Sequence, residues 1–409
     1  MSNVFISKIH IKKCRHLENI DIELSKYEIK HLVLTGKNGS GKTSLAMAIA
    51  NHLYLMHGPG SQCHVTTDGV SFLIPYKSEQ DYVYGKLNIY FGAEKLLKSQ
   101  IVNATERNTC LNHNAERIDT KNLHFDHLLS YLPADRRLSL RIPKSIEKVD
   151  LEDKKLSSND FLAYMVFLRH QMTDALYDGD TSQTEKLKTW FDNLLQMLRK
   201  SFNEPHLQMK YDRELLNFRL TLPEREEFML NEMADGYSSL LGMVAWLIMK
   251  MDGCSFMVYD KPGIVVVDEI ETHLHVELQK LVLPFLTGMF PNIQFIVTTH
   301  SPFVISSLAN AVVYDLEKQI RVEDMTAYSY EGIVEHYYDT SQYSKEAEKQ
   351  FGIYMSLACK DDRTQAESMQ FINALTYLKQ VPDGAAQELV FAFREMEAKR
   401  NGGCLSGQA

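Results

Sequence analysis

The sequence predicts an α/β fold built on a largely parallel sheet, and three observations carry that prediction. Short apolar runs at His31–Thr35, Gly263–Val267 and 294–299 read as strands buried on both faces. Stretches with helical periodicity alternate with them, and alternating strands and helices close into a parallel sheet covered on both sides. Glycine-rich or doubly acidic turns stand directly after these runs, at the sheet edge where open α/β folds hold their ligands.

In chain order, residues 4–34 alternate in the manner of strands, with Val4, Ile6, Ile9 and Ile11 followed by Ile20, Ile22 and Leu24. The strand His31–Thr35 runs into a glycine-rich loop and then an alanine-rich helical stretch beginning at Ser44. Residues 58–130 are mixed and turn-rich, with strand-like runs at 70–74 and 86–91. Tyr131-Leu132-Pro133-Ala134-Asp135-Arg136-Arg137 reads as a strand ending in a basic turn. Residues 159–176 are helical by pattern, Asp178-Gly179-Asp180 is a turn, and Ser182 with Glu185 is a candidate capping box for a second helix through Arg199. Together they predict a helical hairpin inserted in the domain. The chain then returns to the core, with a buried helix over 240–249, a strand at Gly263–Val267, a helix at 277–290 and strands at 294–299 and 311–314. The expected division is an N-terminal lobe (1–150), the hairpin (151–205), a C-terminal lobe (206–318) and a helical C-terminal region (319–409) ending in a Gly/Ser-rich stretch expected to be disordered.

Bulk properties narrow the function classes. The chain has 409 residues, 44% of them hydrophobic and 24% charged, an ordinary globular composition. A net charge of −9 gives no global basic field to draw it to nucleic acid, although a local basic surface is not excluded by composition. The six cysteines form no C-x-x-C pair, which argues against a zinc ribbon and for free thiols. Cys110 and His113 are spaced like many unrelated pairs. No charged-then-apolar leader is seen at Met1–Phe5, and the apolar stretch at 240–249 is about half of the ~20 residues needed to span a bilayer. A cytoplasmic protein without a membrane partner is expected.

Four short motifs carry the chemistry. Gly36-Lys37-Asn38-Gly39-Ser40-Gly41-Lys42-Thr43 is a full G-x-x-x-x-G-K-T between a strand and a helix. In such a loop backbone N–H groups surround phosphate oxygens at a helix N-terminus. Ser44 opens that helix, Lys42 is placed to reach the β/γ-phosphates of ATP, and Thr43 to reach Mg²⁺. The second motif is the apolar strand ending in Asp268-Glu269. Asp268 would hold the Mg²⁺, and Glu269 would orient or deprotonate the attacking water. Alone, this pattern is usually a solvated strand end; beside a phosphate loop it becomes specific. The third is Thr298-Thr299-His300-Ser301-Pro302, where His300 could face the γ-phosphate or the water. The fourth is Ala234-Asp235-Gly236-Tyr237-Ser238, a polar turn before an apolar helix and so a second anion site. One ATP rarely needs two phosphate loops, so this one would serve the ATP of another subunit.

Order and spacing of these motifs resemble the ABC-type ATPase heads of the RecF, SMC and OLD class over most of residues 1–315. Glu271-Thr272-His273-Leu274-His275 after Asp268-Glu269 is similar to the acidic-histidine run of the compact RecF/OLD-like members, and Thr299-His300-Ser301-Pro302 is also typical of them. The resemblance implies an ABC ATPase head with an N-terminal antiparallel β lobe, a P-loop core sheet, and a homodimer that sandwiches ATP between Lys42's loop and the signature residues Asp235, Gly236, Tyr237 and Ser238 of the other subunit. It also implies that Arg15 lies near the nucleotide, though Arg15 reads equally as a solvated turn. The Ala134–Arg137 run resembles a family feature and reads equally as a strand-end salt bridge. The sequence departs from the family at Ala234, where a signature serine is usual. The missing hydroxyl removes a charge-assisted hydrogen bond worth roughly 1.5–3 kcal/mol. The family's Mg²⁺-sensing glutamine could be Gln62, Gln80 or Gln100.

OLD-type proteins carry a fused nuclease, whose acidic set is not found after His300; Asp315, Glu317, Asp361 and Asp362 do not make it. The chain therefore resembles the effector-free ATPases of bacterial anti-phage systems, the Septu-like and retron-linked ATPases and that of PARIS. What this implies is an ATPase that controls a separate nuclease or toxin. The alternative is a RecF-like repair ATPase that binds DNA directly. A non-hydrolysing nucleotide switch is the blander option. Partner contacts are expected in the C-terminal region and on the hairpin. The tyrosines at 328, 330, 337, 338 and 343 read either as an interface or as the tail packing on itself.

Overall fold

A computed structural model describes residues 4–56, 62–66, 69–73, 86–93, 116–118, 128–136, 138–151, 157–223, 225–254, 261–334, 343–360, 362–382 and 386–401. Cys110, His113, Gln80, Gln100, Tyr337, Tyr338, Arg137 and the Gly/Ser-rich end lie outside the described residues. The chain divides into two units, Met1–Tyr328 and Ser329–Ala409.

In the first unit, β1 (Val4–Cys14) and β2 (Leu17–Glu23) pair antiparallel, with Ile9 opposite Ile22 and Ile11 opposite Ile20, all four buried. That pairing is the physical content of the alternation in the first residues, since a one-residue slip would turn the isoleucines to solvent. β3 (His31–Thr35) leads through the glycine loop into α1 (Lys42–Met56). β4 (Gln62–Thr66), β5 (Gly69–Leu73), β6 (Lys86–Ala93) and β7 (Glu116–Ile118) complete an antiparallel sheet in the order β2-β1-β6-β5-β4-β7.

β8 (Leu128–Leu132) precedes the hairpin of α2 (Phe161–Asp178) and α3 (Thr181–Phe202). Gly179 closes α2 in the left-handed conformation at φ 74, which glycine adopts without penalty. The cap of α3 differs from the capping box expected at Ser182. Asp180 is the N-cap, its side chain accepting from the backbone N–H of Gln183, so the helix starts earlier. An aspartate at the turn outcompetes the serine because it reaches the first free N–H groups directly.

β9 (Gln208–Asp212), β10 (Asn217–Thr221) and β11 (Phe228–Met229) form a small antiparallel sheet. α4 (Asp235–Cys254) is buried along nearly all of 239–252, as its continuous apolar sequence requires. β12 (Gly263–Val267), α5 (Val276–Met289), β13 (Ile293–Thr298), the short α6 (Pro302–Ile305), β14 (Ala311–Asp315) and β15 (Ile320–Glu323) follow.

The core sheet has the order β15-β14-β3-β13-β12-β8, parallel throughout except for the edge strand β15. The fold is thus α/β, with an antiparallel lobe beside a mostly parallel core. Register puts Thr35 opposite Asp315 and Leu34 opposite Thr298, so the ends of β3, β13 and β14 lie at one edge, and Val267 opposite Val297 adds β12. Buried Gln294 joins the two sheets: its Oε1 accepts from Ile6 N at 2.7 Å, and its Nε2 donates to Ile6 O at 2.9 Å and Lys30 O at 2.8 Å. The hairpin is fixed to α4 by buried Asp252, which accepts from Tyr164 OH at 2.8 Å and Trp190 Nε1 at 3.2 Å. Near its base, the ring of Phe202 stacks on Tyr237, centroids 4.0 Å apart.

The second unit holds α7 (Lys345–Leu357), α8 (Gln365–Lys379) and α9 (Gln387–Asn401), capped at Ser344 and Thr364. Its core gathers Tyr354, Phe371 and Phe393, with Tyr343 packed against it. Tyr328 and Tyr330 are exposed.

Candidate functional site

The phosphate loop is built by backbone conformations only glycine takes easily: Gly36, Gly39 and Gly41 have φ of 134°, 86° and 97°. Gly41 also admits the neighbouring strand turn, because an added Cβ would lie 3.1 Å from Leu17 Cδ1 and 3.3 Å from His16 Cε1. Lys42 is buried and folds back into the loop, its Nζ donating to Gly36 O at 2.8 Å and Lys37 O at 3.0 Å. Ser40 Oγ lies 3.5 Å from the same Nζ. Burial lowers the Lys42 ammonium pKa against the pull of Glu271, Glu269, Asp268 and Asp315. Asn38 and Gly39 are exposed at the tip, and Ser44 is half-buried in the first turn of α1.

Thr43 and Asp268 meet at the base of the loop, Thr43 Oγ1 donating to Asp268 Oδ1 at 3.2 Å. The same carboxylate oxygen accepts from Thr298 Oγ1 at 2.6 Å, and Thr298 Oγ1 in turn accepts from Glu269 N at 2.7 Å. One threonine at the end of β13 therefore orients both acidic residues at the end of β12. Glu269 stands in the left-handed region at φ 45, and Thr272 Oγ1 donates to its Oε2 at 3.3 Å. His300 N donates to Glu271 Oε1 at 2.6 Å, fixing the histidine's position after β13. Burial, and then the nearby Lys42, lower the His300 pKa below its ordinary value against the pull of Glu271 and Glu269. Ser301 caps α6 and donates to Gln279 Oε1 at 2.7 Å.

Arg15 occupies the exposed β1–β2 turn at φ 55, and it is the adjacent His16 whose Nε2 lies 3.1 Å from Ser40 O. Asp235, Gly236, Tyr237 and Ser238 form the first turn of α4. Asp235 and Ala234 are exposed. Tyr237 is engaged with Phe202, and Ser238 Oγ donates to Met233 O at 3.0 Å. Gly236 packs closely: a Cβ there would lie 3.1 Å from His275 Cδ2 and 3.2 Å from Leu278 Cδ1, so both side chains would have to give by a few tenths of an ångström. Ser239 Oγ donates to Thr272 O at 3.2 Å, so α4 touches the loop that carries Glu269.

Sequence reasoning missed Thr298, Thr272, Ser239 and His16, and weighed Arg136 without assigning it. Thr298 had a signal, a threonine where an apolar strand meets a candidate histidine. Thr272 and Ser239 had none, because their contacts depend on how α4 lies against the 268–275 loop.

The donor set suits a hard cation, being a hydroxyl and a carboxylate. No group of three or more His, Cys, Asp and Glu side chains arranged to hold a metal occurs among the described residues. Thr43 and Asp268 would therefore share the cation with phosphate oxygens and water, and backbone N–H groups at the start of α1 would meet the phosphates.

Fold and site define a P-loop ATPase domain of the ABC-head type. The chain belongs to the family described as "AAA domain, putative AbiEii toxin, Type IV TA system", whose pattern matches residues 32–306. It is 25% identical over 333 residues to the Septu protein PtuA of Bacillus mycoides (strain KBAB4), covering 76% of this chain and 40% of that protein. It is 32% identical over 129 residues to the Retron Vc95 probable ATPase of Vibrio cholerae serotype O1 biovar El Tor, covering 31% of this chain and 23% of that protein. The chain thus spans well under half the length of these relatives. Among solved structures, an SMC head bound to the C-winged helix domain of ScpA aligns with 76% of this chain and 94% of its own, at 15% identity and a TM-score of 0.37. No helix among the described residues is long and apolar enough to cross a membrane.

Proposed function

We propose that this chain binds ATP with Mg²⁺ and hydrolyses it, and that the ATP cycle controls a separate effector, a nuclease or toxin, in bacterial anti-phage defence. The observation that carries the ATPase reading is the hydrogen-bonded run Thr43–Asp268–Thr298–Glu269, which joins the phosphate loop to the two acidic residues. In this reading Gly36, Asn38, Gly39, Ser40, Gly41, Lys42, Thr43 and Ser44 bind the phosphates, with Arg15 beside them. Lys42 exchanges the carbonyls of Gly36 and Lys37 for phosphate oxygens. The cation supplies charge to the phosphates; Thr43 and Asp268 hold it. Glu269 orients and deprotonates the attacking water, and His300 faces the same region.

Two copies would close head to tail, each offering its Asp235–Ser238 turn to the other's ATP. Supporting this are the exposure of Asp235 at the start of α4 and the order of motifs. The effector reading is supported by the likeness to the Septu protein and the retron ATPases. A cytoplasmic location follows from it. Steady-state phosphate release tests the chemistry: wild type should turn over ATP, and Glu269→Gln should bind ATP but release phosphate at least about a hundredfold more slowly, still above the rate without enzyme. Equal rates in both would refute the role of Glu269. Co-purification with the products of neighbouring genes tests the effector, and the absence of any stable partner with or without ATP would remove that part.

A further inference from the structure

Arg136, in the turn after β8, is a half-buried guanidinium whose hydrogen bonds go to main chain rather than to carboxylates. Its Nη1 donates to Asp268 O at 2.6 Å and Pro133 O at 2.9 Å, and its Nη2 donates to Glu269 O at 2.6 Å. The two distal nitrogens thus grip consecutive carbonyls, those of the residues proposed to hold the cation and to activate water. Nε is buried without a hydrogen-bond partner among the described residues. The planar guanidinium makes these fixed, parallel donations in a way that a shorter or neutral side chain would not.

What it grips is a backbone out of its preferred region. Glu269 has φ 45, and for a side chain other than glycine this conformation is unfavourable and persists only when neighbours over-determine it. Thr298 holds the N–H side of Glu269 and Arg136 holds the C=O side. Between them they fix the direction of the Glu269 Cα–Cβ bond. Burial draws the guanidinium down to about 10, against the opposing charges of Glu271, Asp268 and Glu269, and it stays cationic at neutral pH. Its charge therefore also sits within the field of the acidic cluster.

We infer that Arg136 is a positioning residue for ATP hydrolysis, holding the Asp268–Glu269 backbone so that the Glu269 carboxylate points at the attacking water while the phosphate loop binds ATP without it. This inference rests on the ATPase reading. None of its hydrogen bonds reaches the residues 36–44, so nucleotide affinity and chemistry should separate.

The experiment compares Arg136→Gln, Arg136→Lys and wild type for binding of a fluorescent ATP analogue and for steady-state hydrolysis, and adds Arg136→Gln to Glu269→Gln. Expected are an affinity within about threefold of wild type in both single variants and a kcat at least about tenfold lower in Arg136→Gln, with Arg136→Lys in between. On the Glu269→Gln background the second change should lower single-turnover hydrolysis less than about twofold, because the group being positioned is already gone. A general structural role would instead multiply the two losses. Multiplicative losses, affinity falling in step with kcat, or an unchanged kcat in folded Arg136→Gln would each overturn the inference. Should Arg136→Gln not fold, Arg136→Lys carries the same comparison, since it keeps the charge but not the two-carbonyl fork. A wild type that binds ATP and never hydrolyses it would take down the ATPase reading and this inference with it, whereas an active wild type with an indifferent Arg136 would remove the inference alone.

Discussion

Replacing Thr298 by valine is the sharpest single perturbation of the site. Valine has nearly the same shape as threonine, and Thr298 is completely buried, so the main change is loss of a buried, hydrogen-bonded hydroxyl. Two bonds go with it: the 2.6 Å donation to Asp268 Oδ1 and the 2.7 Å acceptance from Glu269 N. Asp268 Oδ1 keeps only the longer Thr43 contact at 3.2 Å. A hydrogen bond to a charged group is worth about 1.5–3 kcal/mol, and a buried amide left without an acceptor costs about 1–3 kcal/mol. If the first loss is expressed mainly as misplacement of Asp268, kcat should fall by roughly ten- to a hundredfold, at 1.36 kcal/mol per decade. The second should appear as a lower denaturation midpoint. The assay is phosphate release over a range of ATP concentrations beside urea denaturation of the same preparations. Thr298→Ser, which restores the hydroxyl and removes only a methyl, should recover most of the rate. A Thr298→Val protein with wild-type kcat, or one that Thr298→Ser does not rescue, would refute the view that this hydroxyl orients the acidic pair.

Other perturbations test other levels of the structure. Lys42→Ala should weaken ATP binding by at least about tenfold and abolish hydrolysis with little change in folding, because among the described residues Lys42 bonds within its own loop (isothermal titration and circular dichroism would check both). His31 is buried, and its Nδ1 accepts from Phe295 N at 3.1 Å. Burial, helped by Lys30, lowers its pKa from 6.5 to about 4. The folded state therefore resists a proton that the unfolded state takes up, so stability is complete above pH 6.5 and falls as pH drops toward 4. At about 1.4 kcal/mol per pH unit, up to about 3 kcal/mol is at stake, and His31→Asn, keeping an acceptor, should flatten that acid limb in urea titrations between pH 7.5 and 4.5. Gly263→Ala should destabilise by about 1–3 kcal/mol, because its Cβ would lie 2.6 Å from Leu128 O and push β12 from β8; an unchanged midpoint would show that the strands can shift freely.

The core strands were legible because burial on both faces leaves a continuous apolar signature, and the first two strands because burial on one face leaves alternation. The phosphate loop was legible because its glycines and Lys42 sit in one short segment whose geometry is local. Asp268, Glu269 and His300 became candidates through their order and spacing after that loop, since each pattern alone is usually a plain strand end. What the sequence could not reveal are contacts set by the packing of distant segments. Thr298 and Asp268 are thirty residues apart, and Arg136 lies more than a hundred residues before the carbonyls it binds. The small sheet of β9, β10 and β11 was missed because its strands are short and partly exposed, giving neither pattern clearly. At α3 the sequence suggested a cap, but two adjacent candidates, Asp180 and Ser182, compete for the same N–H groups, and only geometry decides between them.

The loop from Asp268 to His275 explains why so many of the decisive contacts are non-local. It contains two left-handed residues other than glycine, Glu269 at φ 45 and His273 at φ 68, each costing about 1–2 kcal/mol relative to ordinary backbone. Its own turn bonds, Thr272 N to Glu269 O and Leu274 N to Glu271 O, both 2.9 Å, would not by themselves hold such a shape against water. The remainder comes from four outside elements: Thr298 of β13, Arg136 after β8, Ser239 of α4 through Thr272 O, and the backbone of His300 through Glu271. Each of these elements carries another part of the site or packs against one. The position of the Glu269 carboxylate is therefore set jointly by the core sheet and by the helix whose first turn holds Asp235–Ser238. A glycine at position 269 would relieve the backbone strain but remove the carboxylate proposed to act on water, so the strain accompanies the presentation of that side chain.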